Sequence, residues 1–141
     1  MYWYTHFQVH PISSVCTQYV ANRLNCKIVD MRIDFQKNKD GNVITCYELG
    51  PREWVGLISK AQYVITDSFH GTAFSINFNK PFTTLVNPVS NMNSRVLSIL
   101  EITQLTNRII YDDGENIMPK DLTIDFRSVN QIIEQWREKI H

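Results

Sequence analysis

The stretch VITDSFHGTAFSINFNKPF, Val64 to Phe82, decides how the chain is read. Tyr63 to Thr66 is a short apolar run of the kind that forms a buried strand. A small polar turn with one histidine follows. Ser68 to Asn79 then reads as a helix, with Phe74 and Phe78 four residues apart on one face, and Lys80-Pro81 closes it. A strand that turns at once into a helix is the elementary unit of a parallel α/β sheet.

The same unit recurs to either side. Tyr2 to Val9 alternates aromatic and polar residues as a strand does. A helix capped by Ser13 or Ser14 follows, with Val15, Tyr19, Val20 and Leu24 at helical spacing. Lys27 to Met31 is a short apolar strand. The polar run DFQKNKDGN, Asp34 to Asn42, ends in a turn signal, and Val43 to Leu49 is a further strand. Pro51 suits the first turn of a helix, because its missing N–H has no intrahelical partner to lose there. That helix presents Trp54, Leu57 and Ile58 on one face. Beyond the central stretch come a strand from Pro81 to Val86, a helix from Ser94 to Glu101, a strand from Arg108 to Tyr111, and an Asp112-Asp113-Gly114 turn. A final helix spans Phe126 to Ile140, with Val129, Ile132, Ile133 and Trp136 on its apolar side. Strands alternating with helices, mostly as unbroken apolar runs, predict a Rossmann-like parallel sheet with helices on both faces. No repeat or linker divides the chain, so residues 1–141 are expected to form one domain.

Composition narrows the function. With 14 Lys+Arg against 14 Asp+Glu, the formal net charge is zero. No global field exists to attract nucleic acid or an anionic membrane. No apolar run approaches the roughly 18–20 residues needed to span a bilayer, and the N-terminal segment does not read as a signal peptide. Cys16, Cys26 and Cys46 have no metal-pair spacing and are expected to be buried or half-buried thiols, so the expected location is cytoplasmic. His6 and His10, four apart on a strand, would stand about 13 Å from each other, too far to share a metal. Asp112-Asp113 ahead of a glycine is a turn. No metal site is predicted.

In an open parallel sheet, ligands sit at the carboxyl ends of the strands, where loops lead into helix N-termini. Thr66 to Thr72 lies at such a place. The first N–H groups of the helix are unpaired and the dipole makes that end positive, so phosphate or carboxylate is a natural guest. Ser68 and Thr72 supply hydroxyls, and Gly71 lacks a side chain that would hold a ligand away from the backbone. His70 adds a group able to accept and return a proton, since a helix N-terminus favours neutral imidazole. Asp67, three residues earlier, is placed to orient its ring. The same residues also fit a structural reading, with Ser68 as N-cap, Gly71 permitting tight packing and His70 a turn residue. Glu53, in the first turn after Pro51, either meets a ligand hydroxyl or favours the helix dipole.

The run AQYVITDSFHGTAFSINFNKPF, Ala61 to Phe82, closely resembles the signature of the polysaccharide pyruvyl transferase family. Gly50 to Ile58 is similar to the helix that family places before it, and Asn93 to Leu100 to its Asn-x-Arg…Leu-Leu segment. The resemblance implies the C-terminal half of a two-domain protein akin to GT-B glycosyltransferases. Such proteins transfer pyruvyl from phosphoenolpyruvate to a sugar, usually as a cyclic ketal, in the building of exopolysaccharide or other cell-surface glycan. It implies His70 as general acid or base, without a covalent protein intermediate, and Ser68, Gly71, Thr72 and Arg95 as substrate-binding residues. Some members carry a lysine in the loop after the next strand. Here that loop reads Asn87-Pro88-Val89-Ser90-Asn91, and Arg95 is the nearest cation. Lys80 belongs at the far end of the helix. The implied partners are phosphoenolpyruvate and a sugar or lipid-linked glycan, with an N-terminal domain or separate chain completing the cleft. No metal or organic cofactor is implied. The donor-binding half of a nucleotide-sugar glycosyltransferase, or a non-catalytic fragment, would fit the same sheet.

Overall fold

A computed structural model describes residues 2–6, 11–30, 43–45, 51–89, 94–111 and 118–140. His10, the 34–42 loop, Cys46, Asn93 and the Asp112–Gly114 turn lie outside the described residues.

Among the described residues six strands form one sheet: β1 (Tyr2–His6), β2 (Lys27–Asp30), β3 (Val43–Thr45), β4 (Ala61–Thr66), β5 (Phe82–Val86) and β6 (Ile109–Tyr111). Their spatial order is β3-β2-β1-β4-β5-β6, and every neighbouring pair is parallel. This is the doubly wound order of a Rossmann sheet. The helices are α1 (Pro11–Leu24), α2 (Pro51–Lys60), α3 (Phe69–Asn77), α4 (Ser94–Ile102) and α5 (Phe126–Ile140). Right-handed crossovers send a chain moving one way across the sheet over one face, and a chain moving back over the other. Accordingly α1 packs with Tyr63, Ile65, Leu85 and Ile110 on one side. Residues of α2, α3, α4 and α5 pack with Val64, Phe82 and Val86 on the other. Alternate β4 residues therefore serve opposite cores. That is why the strand is buried almost throughout and reads as an unbroken apolar run.

Local rules explain most boundaries. Both α1 and α2 begin at a proline, whose fixed φ suits the first helical position. For α1 this overturns the expected cap at Ser13 or Ser14, which lie inside the helix. Its buried face is Cys16, Thr17, Val20 and Ala21, while Val15 is 46% exposed. Both α3 and α4 end in Schellman motifs. Asn79 and Gln104 take left-handed φ of 56° and 59°. The next residues, Lys80 and Leu105, donate N–H back to the Ser75 and Leu100 carbonyls. The segment before β6 is a short 3-10 turn, Thr106–Arg108, rather than strand. Arg108 is buried, donating to the Phe82 carbonyl at 2.9 Å and the Tyr63 hydroxyl at 3.0 Å. The Tyr63 hydroxyl is also 2.6 Å from that of Thr83, so one buried network ties β4, β5 and the approach to β6. Helix α5 has the bounds read from sequence, but Trp136 is 45% exposed. It rims a shallow apolar groove with Ile76, Ile99 and Ile132. Among the described residues no helix is long and apolar enough to cross a membrane.

Candidate functional site

The strand order reverses between β1 and β4, because α1 leaves β1 over one face and α3 leaves β4 over the other. A crevice opens at such a switch point, outside the carboxyl ends of the two strands. The β1–β4 register ends with His6 opposite Thr66, so the Thr66–Thr72 turn stands at the mouth of that crevice.

The turn is built by hydroxyl groups. Thr66 is fully buried and its Oγ1 accepts the Ser68 N–H at 3.1 Å. Ser68 is the N-cap of α3, with extended backbone, and its Oγ accepts the Gly71 N–H at 2.9 Å. The Ser68 carbonyl accepts from both the N–H and the hydroxyl of Thr72. The Thr72 hydroxyl also meets Thr84 Oγ1 of β5 at 2.9 Å. Ser75 Oγ closes the series on the Gly71 carbonyl. These bonds seat the first turn of α3 directly on the ends of β4 and β5.

The arrangement separates the predicted residues. Thr72 is fully buried and its hydroxyl is engaged inside the fold. The space left by the absent Gly71 side chain is taken by Thr66: a Cβ there would lie 2.9 Å from Thr66 Cβ and 3.1 Å from Ser68 Oγ, and closer still to Thr66 Oγ1. Of the two readings of this glycine, the packing one describes its surroundings. Ser68 is half-buried at the rim, and Asp67 is half-buried within the turn. With the Gly71 and Thr72 N–H groups taken by Ser68, those of Phe69 and His70 have no hydrogen-bond acceptor among the described residues and form the positive end of the helix.

Above that end stand two side chains that reach solvent. His70 is exposed, with its ring edge-on to Phe69 at 5.5 Å between centroids and 77° between planes. Arg95, exposed in the first turn of α4, lies over the Phe69 ring with its guanidinium carbon 4.1 Å from the centroid. The structure thus brings His70, Ser68 and Arg95 to one place on the carboxyl edge. Glu53 is exposed in the first turn of α2, and no hydrogen bond or ion pair among the described residues links it to His70 or Arg95. Lys80 lies beyond the opposite end of the nine-residue α3, about 13 Å away along the axis. For Phe69 the only signal in the sequence is its place beside the histidine. Cationic donors, helix N–H groups and one imidazole in a single exposed cluster suit a small dianion carrying a group that must gain or lose a proton.

Comparison with known proteins identifies a family and a fold. The family model for polysaccharide pyruvyl transferase matches residues 2–88. Among solved structures the chain is similar to one described as the glycotransferase of kitacinnamycin. That match has 15% identity and a TM-score of 0.58, covering 97% of this chain and 38% of the other. At that identity the likeness concerns the fold, and the chain spans well under half the length of that protein. No curated protein sequence matches.

Proposed function

Because the chain belongs to the polysaccharide pyruvyl transferase family, we propose that it forms the donor-side wall of a pyruvyl transferase and seats phosphoenolpyruvate at the N-terminus of α3. The observation that carries this reading is the exposed His70 imidazole beside the α3 N-terminus and the Arg95 guanidinium. Phosphoenolpyruvate has a phosphate and a carboxylate joined through one carbon, and the helix N–H groups and Arg95 are complementary to such paired anions.

In the proposed reaction a sugar hydroxyl adds across the enol double bond. The methylene carbon gains a proton, the neighbouring carbon gains the sugar oxygen, and the hydroxyl gives up its own proton. Loss of phosphate with the C–O bonding pair leaves an oxocarbenium centre. A second hydroxyl attacks it and releases a proton, giving a cyclic ketal and inorganic phosphate. His70 is the group that carries protons in these steps, acting first as acid toward the methylene and then as base toward a hydroxyl. The helix end and Arg95 stabilise the charge that gathers on the departing phosphate. The acceptor is a sugar of an exopolysaccharide or other cell-surface glycan, free or lipid-linked. The acceptor side of the cleft belongs to an N-terminal domain or separate chain.

Calorimetry of phosphoenolpyruvate against a panel of nucleotide sugars, with wild type and His70→Ala, tests the reading. We expect phosphoenolpyruvate to bind both forms within a few-fold. We expect the ketal methyl signal, followed by NMR in the enzyme completed on its acceptor side, to vanish in His70→Ala. Binding of nucleotide sugars alone would overturn the donor assignment, and unchanged turnover in His70→Ala would remove its chemical role.

A further inference from the structure

We infer that Phe69 is a positioning residue for the anion site, fixing the Arg95 guanidinium beside the α3 N-terminus and bracing the His70 ring in an edge-on contact; the inference rests on the phosphoenolpyruvate reading above. Phe69 is half-buried and packs against the core that holds Val96 and Leu100, so its ring is anchored from below. Arg95 is exposed, and among the described residues no carboxylate pairs with it. A long unpaired side chain on a helix surface samples many rotamers, and each must be frozen when a ligand binds. Here the guanidinium carbon sits 4.1 Å above the centre of the Phe69 ring. A planar cation on a ring face is held by the ring quadrupole while its N–H donors point outward at the rim, ready for a carboxylate or phosphate. The same ring meets His70 at 5.5 Å and 77°. One anchored aromatic therefore sets the spacing between the anion clamp and the proton carrier. The Phe-His order of residues 69 and 70 makes this possible, because the two are adjacent at the first positions of α3, one half-buried and the next exposed.

Two independent readouts test the inference. In the NMR spectrum the Arg95 Nε–H should carry a ring-current shift in wild type that disappears in Phe69→Leu and persists in Phe69→Tyr. In calorimetry Phe69→Leu should weaken phosphoenolpyruvate binding about three- to tenfold, and Phe69→Tyr by less than about twofold. The Phe69→Leu/Arg95→Ala double variant should bind no more weakly than Arg95→Ala alone, since Phe69 acts through the guanidinium. A merely structural role would give additive losses, and that result would overturn the inference. So would an Arg95 Nε–H resonance unmoved by Phe69→Leu. Should Phe69→Leu fail to fold, Phe69→Met supplies the same comparison. If wild type binds no phosphoenolpyruvate, the donor reading fails, while the Arg95 resonance still decides the placement.

Discussion

Replacing Gly71 by alanine probes the seam between β4 and α3. In an ordinary helix this exchange stabilises by up to about 1 kcal/mol, because alanine loses less backbone freedom. Here the sign should reverse. The new methyl would overlap Thr66 Oγ1 and lie 2.9 Å from Thr66 Cβ, and Thr66 is fully buried beneath it. Overpacking of this kind costs about 1–3 kcal/mol. Relief by lifting the helix would stretch the Gly71 N–H to Ser68 Oγ bond, a cap worth about 1 kcal/mol. Net of the alanine gain, we expect Gly71→Ala to destabilise by about 1–3 kcal/mol in urea unfolding followed by circular dichroism. Thr66→Ala, which deletes the overlapped hydroxyl, should make the double variant less unstable than the sum of the two singles. A Gly71→Ala protein as stable as wild type would refute the packing account and reopen this glycine as space for a ligand.

Further predictions follow from the buried groups. Thr72→Val keeps the shape but removes the donor to the Ser68 carbonyl and the contact with Thr84; it should cost about 1–3 kcal/mol in the same unfolding assay. Arg108→Met strips the Phe82 carbonyl and the Tyr63 hydroxyl of a buried donor and should cost about 2–4 kcal/mol. Adding Tyr63→Phe removes the partner hydroxyl as well, so the pair should cost less than the sum of its singles. Burial pushes the Cys16 thiol from 9.0 up to about 12. The folded state therefore holds its proton more tightly than the unfolded chain. The resulting stability is intact below pH 9 and erodes by about 1.4 kcal/mol per pH unit above it, until the folded thiol itself titrates. Melting temperatures between pH 8 and 11 should fall less steeply in Cys16→Ala than in wild type.

Much of this architecture is legible without coordinates. Apolar runs alternating with helical periodicity identify a parallel sheet, because a strand buried on both faces, like β4, shows no polar alternation. Pro51 marks the start of α2. The same rule applied to Pro11 places the start of α1 three or four residues earlier than a cap at Ser13 or Ser14 does. What the sequence does not display is contact between residues distant along the chain. The 3-2-1-4-5-6 strand order, which puts the Ser68–Gly71 turn at the switch point, depends on pairing between β1 and β4. Thr66, Thr72 and Thr84 read as ordinary strand and helix residues until the fold stacks their hydroxyls. Arginine is rarely fully buried, so nothing singled out Arg108. At the site, His70 and Ser68 stand out by residue type and position, and Arg95 as the nearest cation. Phe69 does not, since its part depends on which side chain lies over its ring.

The central claim, that the start of α3 is a phosphoenolpyruvate seat, is tested most directly by titrating phosphoenolpyruvate into isotopically labelled protein and mapping the NMR shifts. The account predicts saturable shifts concentrated on the Ser68, Phe69, His70 and Gly71 amides, the His70 ring and the Arg95 guanidinium, with Glu101 and the α5 residues unmoved. Shifts that leave this cluster untouched, or a cluster that responds to nucleotide sugars and not to phosphoenolpyruvate, would contradict it.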